Sequence, residues 1–143
     1  KPLSVLFADL SSTANYIHGL PNPVFRVLRR TLPGPYTFIL KATKRLATAA
    51  LKGRNTLGIR VPDHAITHAL LTELGVPLLA TSAKTDDSDM TMIDPLDIPA
   101  EIGVEIELVV DAGPLFPEPS TVVDFTSGEA EIIREGKGAI DVL

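Results

Sequence analysis

The sequence contains no cysteine. That excludes a disulfide framework, a thiolate nucleophile and a zinc site built on Cys, and it fits a reducing compartment, so a cytoplasmic location is the expectation. Long apolar runs are also lacking. Val76-Pro77-Leu78-Leu79-Ala80 is among the longest and falls far short of a bilayer span, and no charged-then-apolar signal segment opens the chain. There is no run of like charge, no internal repeat and no linker. A phosphate loop of the G-x-x-x-x-G-K-[ST] type and a G-x-S-x-G nucleophile elbow are both missing. Neither a nucleophile nor a general base stands out.

What is present is an ordinary globular composition. The 143 residues are 45% hydrophobic and 22% charged, enough for one domain with a core. The balance of 13 Lys and Arg against 18 Asp and Glu leaves a formal charge of −5, which argues against gripping nucleic acid over a wide area. A local basic cavity remains compatible with it. Lys1 to Phe7 reads as abrupt entry into a strand, and the expectation is that an N-terminal piece precedes it.

Strand-like segments are Ser4 to Phe7, Tyr36 to Leu40, Thr56 to Val61 and Pro77 to Ala80. Leu108 to Asp111, Thr121 to Asp124 and Glu131 to Arg134 follow the same pattern. Helical patterns run from Asp9 to Ile17 with Asp9 or Ser11 as cap, and from Asn22 to Arg30 with Pro23 at the first position. Lys44 to Leu51 reads as a short helix. A further helix capped by Asp63 places Ile66, Ala69, Leu70 and Leu74 on one face, and another opens at Asp94-Pro95 and runs toward Ile102. Thr81 to Thr91 has the character of a loop. The last strands follow one another without helices between them, so the class is α/β or α+β with a twisted mixed sheet.

Within Thr56 to Pro62 the two-residue period puts Gly58 and Arg60 on one face and Ile59 and Val61 on the other. A ligand can approach closely over a glycine, and the arginine fork suits a carboxylate or phosphate. The alternative is an edge arginine paired with an acid. Arg134 runs into the turn Glu135-Gly136-Lys137-Gly138, whose N–H groups suit an anion nest or else a solvated turn. Ser120 and Thr121 bring hydroxyls to a strand start, where they either bind an anion or satisfy the turn. Ser82 and Lys84 lie beyond the carboxyl end of a strand, where open α/β sheets bind ligands. His64 and His68 stand four apart without a third metal ligand, and Asp86, Asp87 and Asp89 lack calcium-loop spacing, so no metal site is expected.

Five blocks carry a resemblance. Leu32 to Leu40, Gly58 to Pro62, Leu78 to Ala83, Ser120 to Asp124 and Arg134-Glu135-Gly136, in that order, resemble the signature blocks of the YrdC/Sua5/YciO family. Lys1-Pro2-Leu3 resembles the Lys-Pro-Leu segment that follows its Lys-x-Arg motif. The resemblance implies a YrdC/RibB-like twisted open mixed sheet flanked by helices, with a large concave cavity. Residues 1–143 would form a single such domain lacking its N-terminal strand-helix unit.

The activity implied is that of an L-threonylcarbamoyladenylate synthase, a nucleotidyltransferase. It joins ATP, L-threonine and bicarbonate into threonylcarbamoyl-AMP, with magnesium accompanying the nucleotide, and releases pyrophosphate on the path to the t6A base of tRNA. Carried over, Thr37, Ser82, Lys84 and Arg134 fall on the nucleotide side, and Lys1, Arg60, Ser120 and Thr121 become anion or substrate contacts. Ser82-Ala83-Lys84 replaces the family's Ser-Ala-Asn, which exchanges an amide for an ammonium and is most like the YciO branch. A competing reading is a non-catalytic module that binds tRNA or double-stranded RNA in the basic concave cavity. A third is a degenerate ligand-binding domain.

Overall fold

The computed structural model describes residues 3–45, 53–83, 94–95, 98, 106–116 and 118–143. The chain divides into two compact units, Lys1–Ala80 with Pro119–Leu143, and Thr81–Glu118. The first contains a six-stranded mixed sheet: β1 (Ser4–Leu6), β2 (Tyr36–Lys41), β3 (Thr56–Arg60), β4 (Leu78–Ala80), β5 (Thr121–Asp124) and β6 (Glu131–Arg134), in the spatial order β4-β1-β3-β2-β5-β6. β1 runs parallel to β3 and β2 parallel to β5, while the other neighbours are antiparallel.

Alternation along the strands decides the two faces. Val5, Leu57, Ile59, Phe38, Leu40 and Val123 point to one side and are buried with Phe7, Val61 and Phe125. α1 (Asn22–Thr31) covers that side. Its Val24, Val27, Leu28 and Thr31 recur at helical spacing and are buried, so one apolar stripe closes the core. The helix stops at Leu32, whose backbone is extended before Pro33. Phe38 lies between two aromatic neighbours, its ring 5.7 Å from Tyr36 and 5.9 Å from Phe125.

Several local expectations are corrected. The segment from Asp9 to Ile17 is not an α-helix but a 3-10 turn (Ser11–Thr13) followed by further turns. Its small polar residues compete with the helical ladder: Asp9 Oδ1 accepts from the Ser12 backbone N–H at 2.7 Å and from the Ser11 and Ser12 hydroxyls, and Thr13 Oγ1 donates to the Leu10 carbonyl. α1 takes Pro21 as its N-cap, with Asn22 already inside the helix. In α2 (Ala65–Leu74) the cap is His64, with no side-chain cap bond, rather than Asp63.

The buried residue of α2 is Leu71; Ile66, Ala69, Leu70 and Leu74 are exposed, against the amphipathic reading. In the second unit, Leu108 to Asp111 forms no strand and is exposed, since no neighbouring edge pairs with it among the described residues. Residues 46–51 of the expected Lys44 to Leu51 helix lie outside the described residues. So do most of the loop from Thr81 to Thr91 and most of the segment from Asp94 to Ile102.

Candidate anion-binding face

The face of the sheet opposite α1 carries the polar residues. Register places them in rows. Ser4 pairs with Gly58 and Gly58 with Ile39. In the next row Leu6 pairs with Arg60, Thr37 with Val122, and Val122 with Arg134. One step on from the Phe38–Ile59 pair, the β2–β3 ladder brings Thr37 beside Arg60. Arg60 and Arg134 therefore stand on one transverse row, three strand spacings or about 14 Å apart at the backbone. Long guanidinium arms from the two can meet the ends of one polyanion over Thr37 and Val122.

Gly58 keeps the floor of this face low. A Cβ added there would lie 3.4 Å from Thr37 Cγ2 and 3.8 Å from Ser4 Cβ. Ser4, read from sequence only as part of a strand, thus shares the face. Its alternation with Val5 was the available signal. Thr37 Oγ1 and Ser120 Oγ are 2.8 Å apart and hydrogen-bonded, with either hydroxyl able to donate. Arg134 donates to the Ser120 carbonyl from Nε at 3.2 Å and from Nη2 at 2.8 Å, and Nη2 also lies 3.4 Å from Ser120 Oγ. Thr37, Ser120 and Arg134, drawn from three separate sequence blocks, form one connected group.

Arg60 is the member without support. Its Nε is buried and has no hydrogen-bond partner. Burial, followed by the positive charge of Arg134, lowers its affinity for its proton below the ordinary guanidinium value. The edge-arginine alternative is not realised among the described residues, where no carboxylate pairs with Arg60. Two cations thus share this face, and among the described residues no carboxylate forms an ion pair with either.

Other sequence candidates are placed elsewhere. Thr121 is fully buried: its hydroxyl donates to the Gly138 carbonyl at 2.6 Å and accepts from the Gly136 N–H at 3.0 Å. The structure does not bring it to the arginine face. The same bonds answer the nest reading of residues 135–138, because the Gly136 N–H is taken by Thr121 and the Lys137 N–H by the Pro119 carbonyl. Ser82 is exposed, two residues past β4, in the second unit. Lys1 and Lys84, like Asp86, Asp87 and Asp89, lie outside the described residues.

His68 Nδ1 is 3.2 Å from the Ala8 carbonyl, and no group of three or more His, Cys, Asp or Glu suited to a metal ion occurs among the described residues. A pocket of about 360 Å³ opens between the end of β1 and the end of α2, past Asp9, Tyr16 and Leu71. Among the described residues no Lys or Arg lines it, which makes it a poor match for phosphate.

Comparison with known proteins agrees with the fold. A family profile named Sua5_yciO_yrdC, described as "Telomere recombination", matches residues 1–136. The chain is 37% identical over 138 residues to "Uncharacterized protein YciO" of Escherichia coli (strain K12), covering 96% of this chain and 66% of that protein. The crystal structure of E. coli YciO superposes with a TM-score of 0.88 at 35% identity over 98% of this chain and 68% of that one.

Similarity to a "Threonylcarbamoyl-AMP synthase" of Bos taurus is 30% over 145 residues, 95% of this chain and 51% of that protein. P. abyssi Sua5 complexed with L-threonine shares the fold at a TM-score of 0.82 and 23% identity, over 95% of this chain and 40% of that one. The chain thus spans just under two thirds of the length of E. coli YciO and about half that of the bovine synthase. No helix among the described residues is long and apolar enough to cross a membrane.

Proposed function

The chain belongs to the Sua5/YciO/YrdC family, and from that premise we propose that the Arg60–Arg134 face binds the phosphates of ATP in an L-threonylcarbamoyladenylate synthase reaction. The observation that carries the proposal is the buried, unpartnered Nε of Arg60 beside a second positive charge. Burying a cation without a partner carries a cost, and a bound anion offsets it. The bovine relative's name and the L-threonine complex of the P. abyssi protein support the choice of substrates.

In the reaction, the amine of L-threonine adds to bicarbonate and loses water to give a carbamate. A carbamate oxygen attacks the α-phosphorus of ATP, the bond to the bridging oxygen breaks, and that oxygen departs with its electron pair on pyrophosphate. The protein supplies no covalent group to this sequence. Alignment and neutralisation of charge are what it must provide.

Arg134, steadied by Ser120, and Thr37 act on the nucleotide, Arg60 is the anion contact at the other end of the same phosphates, and Ser120 faces the carbamate or threonine carboxylate. Magnesium enters on the phosphates of ATP. The product is an activated threonylcarbamoyl group of the kind used to make the t6A base of tRNA.

Pyrophosphate release tests this reading, measured with ATP, L-threonine and bicarbonate together and with each omitted in turn. Release that needs all three and disappears in Arg134→Ala is expected. ATP binding without release under any of these conditions would contradict the synthase reading while leaving the nucleotide site standing.

A further inference from the structure

The pocket between the end of β1 and the end of α2 is a second concave site. None of Ser4, Thr37, Gly58, Arg60, Ser120 and Arg134 lines it. Its volume of about 360 Å³ is that of a small-molecule site, and its lining, from Phe7 to Pro77, lies inside the first compact unit.

Both walls are tied in place. After β1 the loop through Asp9 and Tyr16 runs to the end of β2, where Ile17 bridges Ala42. There the Thr43 N–H donates to the Tyr16 carbonyl at 2.8 Å and Thr43 Oγ1 to the Asn15 carbonyl at 2.9 Å. The other wall is the end of α2, where Gly75 takes a left-handed conformation (φ 66°) and turns the chain through Val76 and Pro77 toward β4. His68 Nδ1 is 3.2 Å from the Ala8 carbonyl; a carbonyl only accepts, so this nitrogen carries a proton and joins α2 to the exit of β1.

The floor is apolar. Phe7 and Leu71 are buried there, the Tyr16 ring packs on Phe7 at 5.4 Å between centroids, and Val76 at the rim is 56% exposed. That leaves apolar surface in water for a ligand body to cover.

Asp9 is the sole titratable carboxyl or cationic side chain in the lining among the described residues. The Ser11 hydroxyl and the Ser12 backbone and hydroxyl all donate to its Oδ1, and its Oδ2 accepts from no described residue. Those bonds orient the carboxyl and keep it ionised at neutral pH. The Asn15 side-chain amide makes no bond to a described residue either.

This lining selects by charge. An anion would be repelled by Asp9, and a neutral apolar molecule would strip water from the carboxylate without a charge in return. An ammonium ion pairs with the carboxylate and gains from the aromatic wall of Tyr16.

We propose that this pocket binds a small primary amine as its ammonium ion, with N–H groups on Asp9 Oδ2 and the Asn15 side-chain oxygen and an apolar, ring-sized body over Phe7 and Leu71. An amino acid fits poorly, because its own carboxylate would meet Asp9. The site is therefore distinct from any threonine contact on the arginine face.

Titration of the 15N-labelled protein with benzylamine at neutral pH, followed by NMR, tests the proposal, with benzyl alcohol and benzoate as the neutral and anionic counterparts. Saturable shifts are expected on the amides of Ala8, Asn15, Thr72 and Val76, with benzyl alcohol about fivefold weaker and benzoate without effect. Asp9→Asn keeps the shape and removes the charge, so it is expected to bring benzylamine down to the affinity of benzyl alcohol. Thr72→Trp fills the pocket from an exposed position and is expected to abolish the shifts while ATP binding stays at the wild-type level.

Equal affinity for benzylamine and benzyl alcohol in the wild type would overturn the proposal. So would benzylamine binding that survives Asp9→Asn undiminished, or shifts scattered over other carboxylates of this acidic chain. If Thr72→Trp does not fold, Asp9→Asn decides alone. Because ATP binding is read separately, failure here is distinguishable from failure of the synthase reading.

Discussion

Arg134 closes both Nε and Nη2 onto the carbonyl oxygen of Ser120, at 3.2 and 2.8 Å, and so fixes its guanidinium beside the Thr37–Ser120 hydroxyl pair. The clamp orients the arginine before any ligand arrives. Arg134→Lys keeps the charge but loses the fork. The lysine variant is expected to retain near wild-type stability and to bind ATP about tenfold or more weakly, read by calorimetric titration. Equal affinity for the two proteins would mean that charge alone matters and that the clamp is incidental.

Arg60 should show the opposite balance of stability and function. Replacing it with Met removes a buried unsatisfied donor and a like-charge contact, so the ligand-free protein is expected to gain stability, on the order of 1 kcal/mol, measured by chemical denaturation. The same variant is expected to lose most of the rise in melting temperature that ATP produces. Loss of stability without ligand would show that Arg60 has a structural partner instead.

Thr121 and the glycines behind it should act on folding alone. Thr121→Val leaves the Gly138 carbonyl and the Gly136 N–H short of a partner, a loss of about 1–3 kcal/mol. A Cβ on Gly138 would overlap the Tyr36 ring, and one on Gly136 would overlap the Pro119 carbonyl, so alanine at either position destabilises, whereas Gly19→Ala meets nothing within 4 Å. Urea midpoints rank these variants. An ATP affinity that falls in Thr121→Val while stability holds would return Thr121 to the binding face.

Asp9 gives a pH signature. Hydrogen bonds from the Ser11 hydroxyl, then from the Ser12 backbone and hydroxyl, hold its carboxyl below the ordinary Asp value of 3.8. A lowered folded value means that the stabilisation is present above the unfolded value and fades as pH falls through the folded one. The group is largely solvent-exposed, so Asp9→Ala is expected to cost no more than about 0.5–1 kcal/mol near pH 7. The gap between wild type and variant should narrow below about pH 4 in a pH series of thermal melts. A gap that is constant with pH would assign the loss to packing.

Much of the site was legible because it depends on strand alternation and short blocks. Gly58 and Arg60 share a face by period two, and Thr37 follows from the strand Tyr36–Lys41. What could not be read is pairing. That Arg134 meets Ser120 depends on β5 and β6 pairing antiparallel with a register shift between Val122 and Val123, which no local pattern encodes.

The hydroxyl of Thr121 is drawn to the turn at residues 136–138 for the same reason, although Ser120 beside it faces the arginines. Helical period alone misled at α2, where Ile66, Leu70 and Leu74 form a stripe that the fold leaves exposed.

The central claim is that two guanidinium groups on one sheet face form a polyphosphate site. Calorimetric titration of ATP into the wild type, Arg60→Met and Arg134→Ala tests it most directly. The account predicts saturable binding to the wild type that weakens by an order of magnitude or more in each single variant, with little further loss in the double variant, because both arginines hold one ligand. Wild-type affinity retained in both single variants would contradict it and place the nucleotide elsewhere.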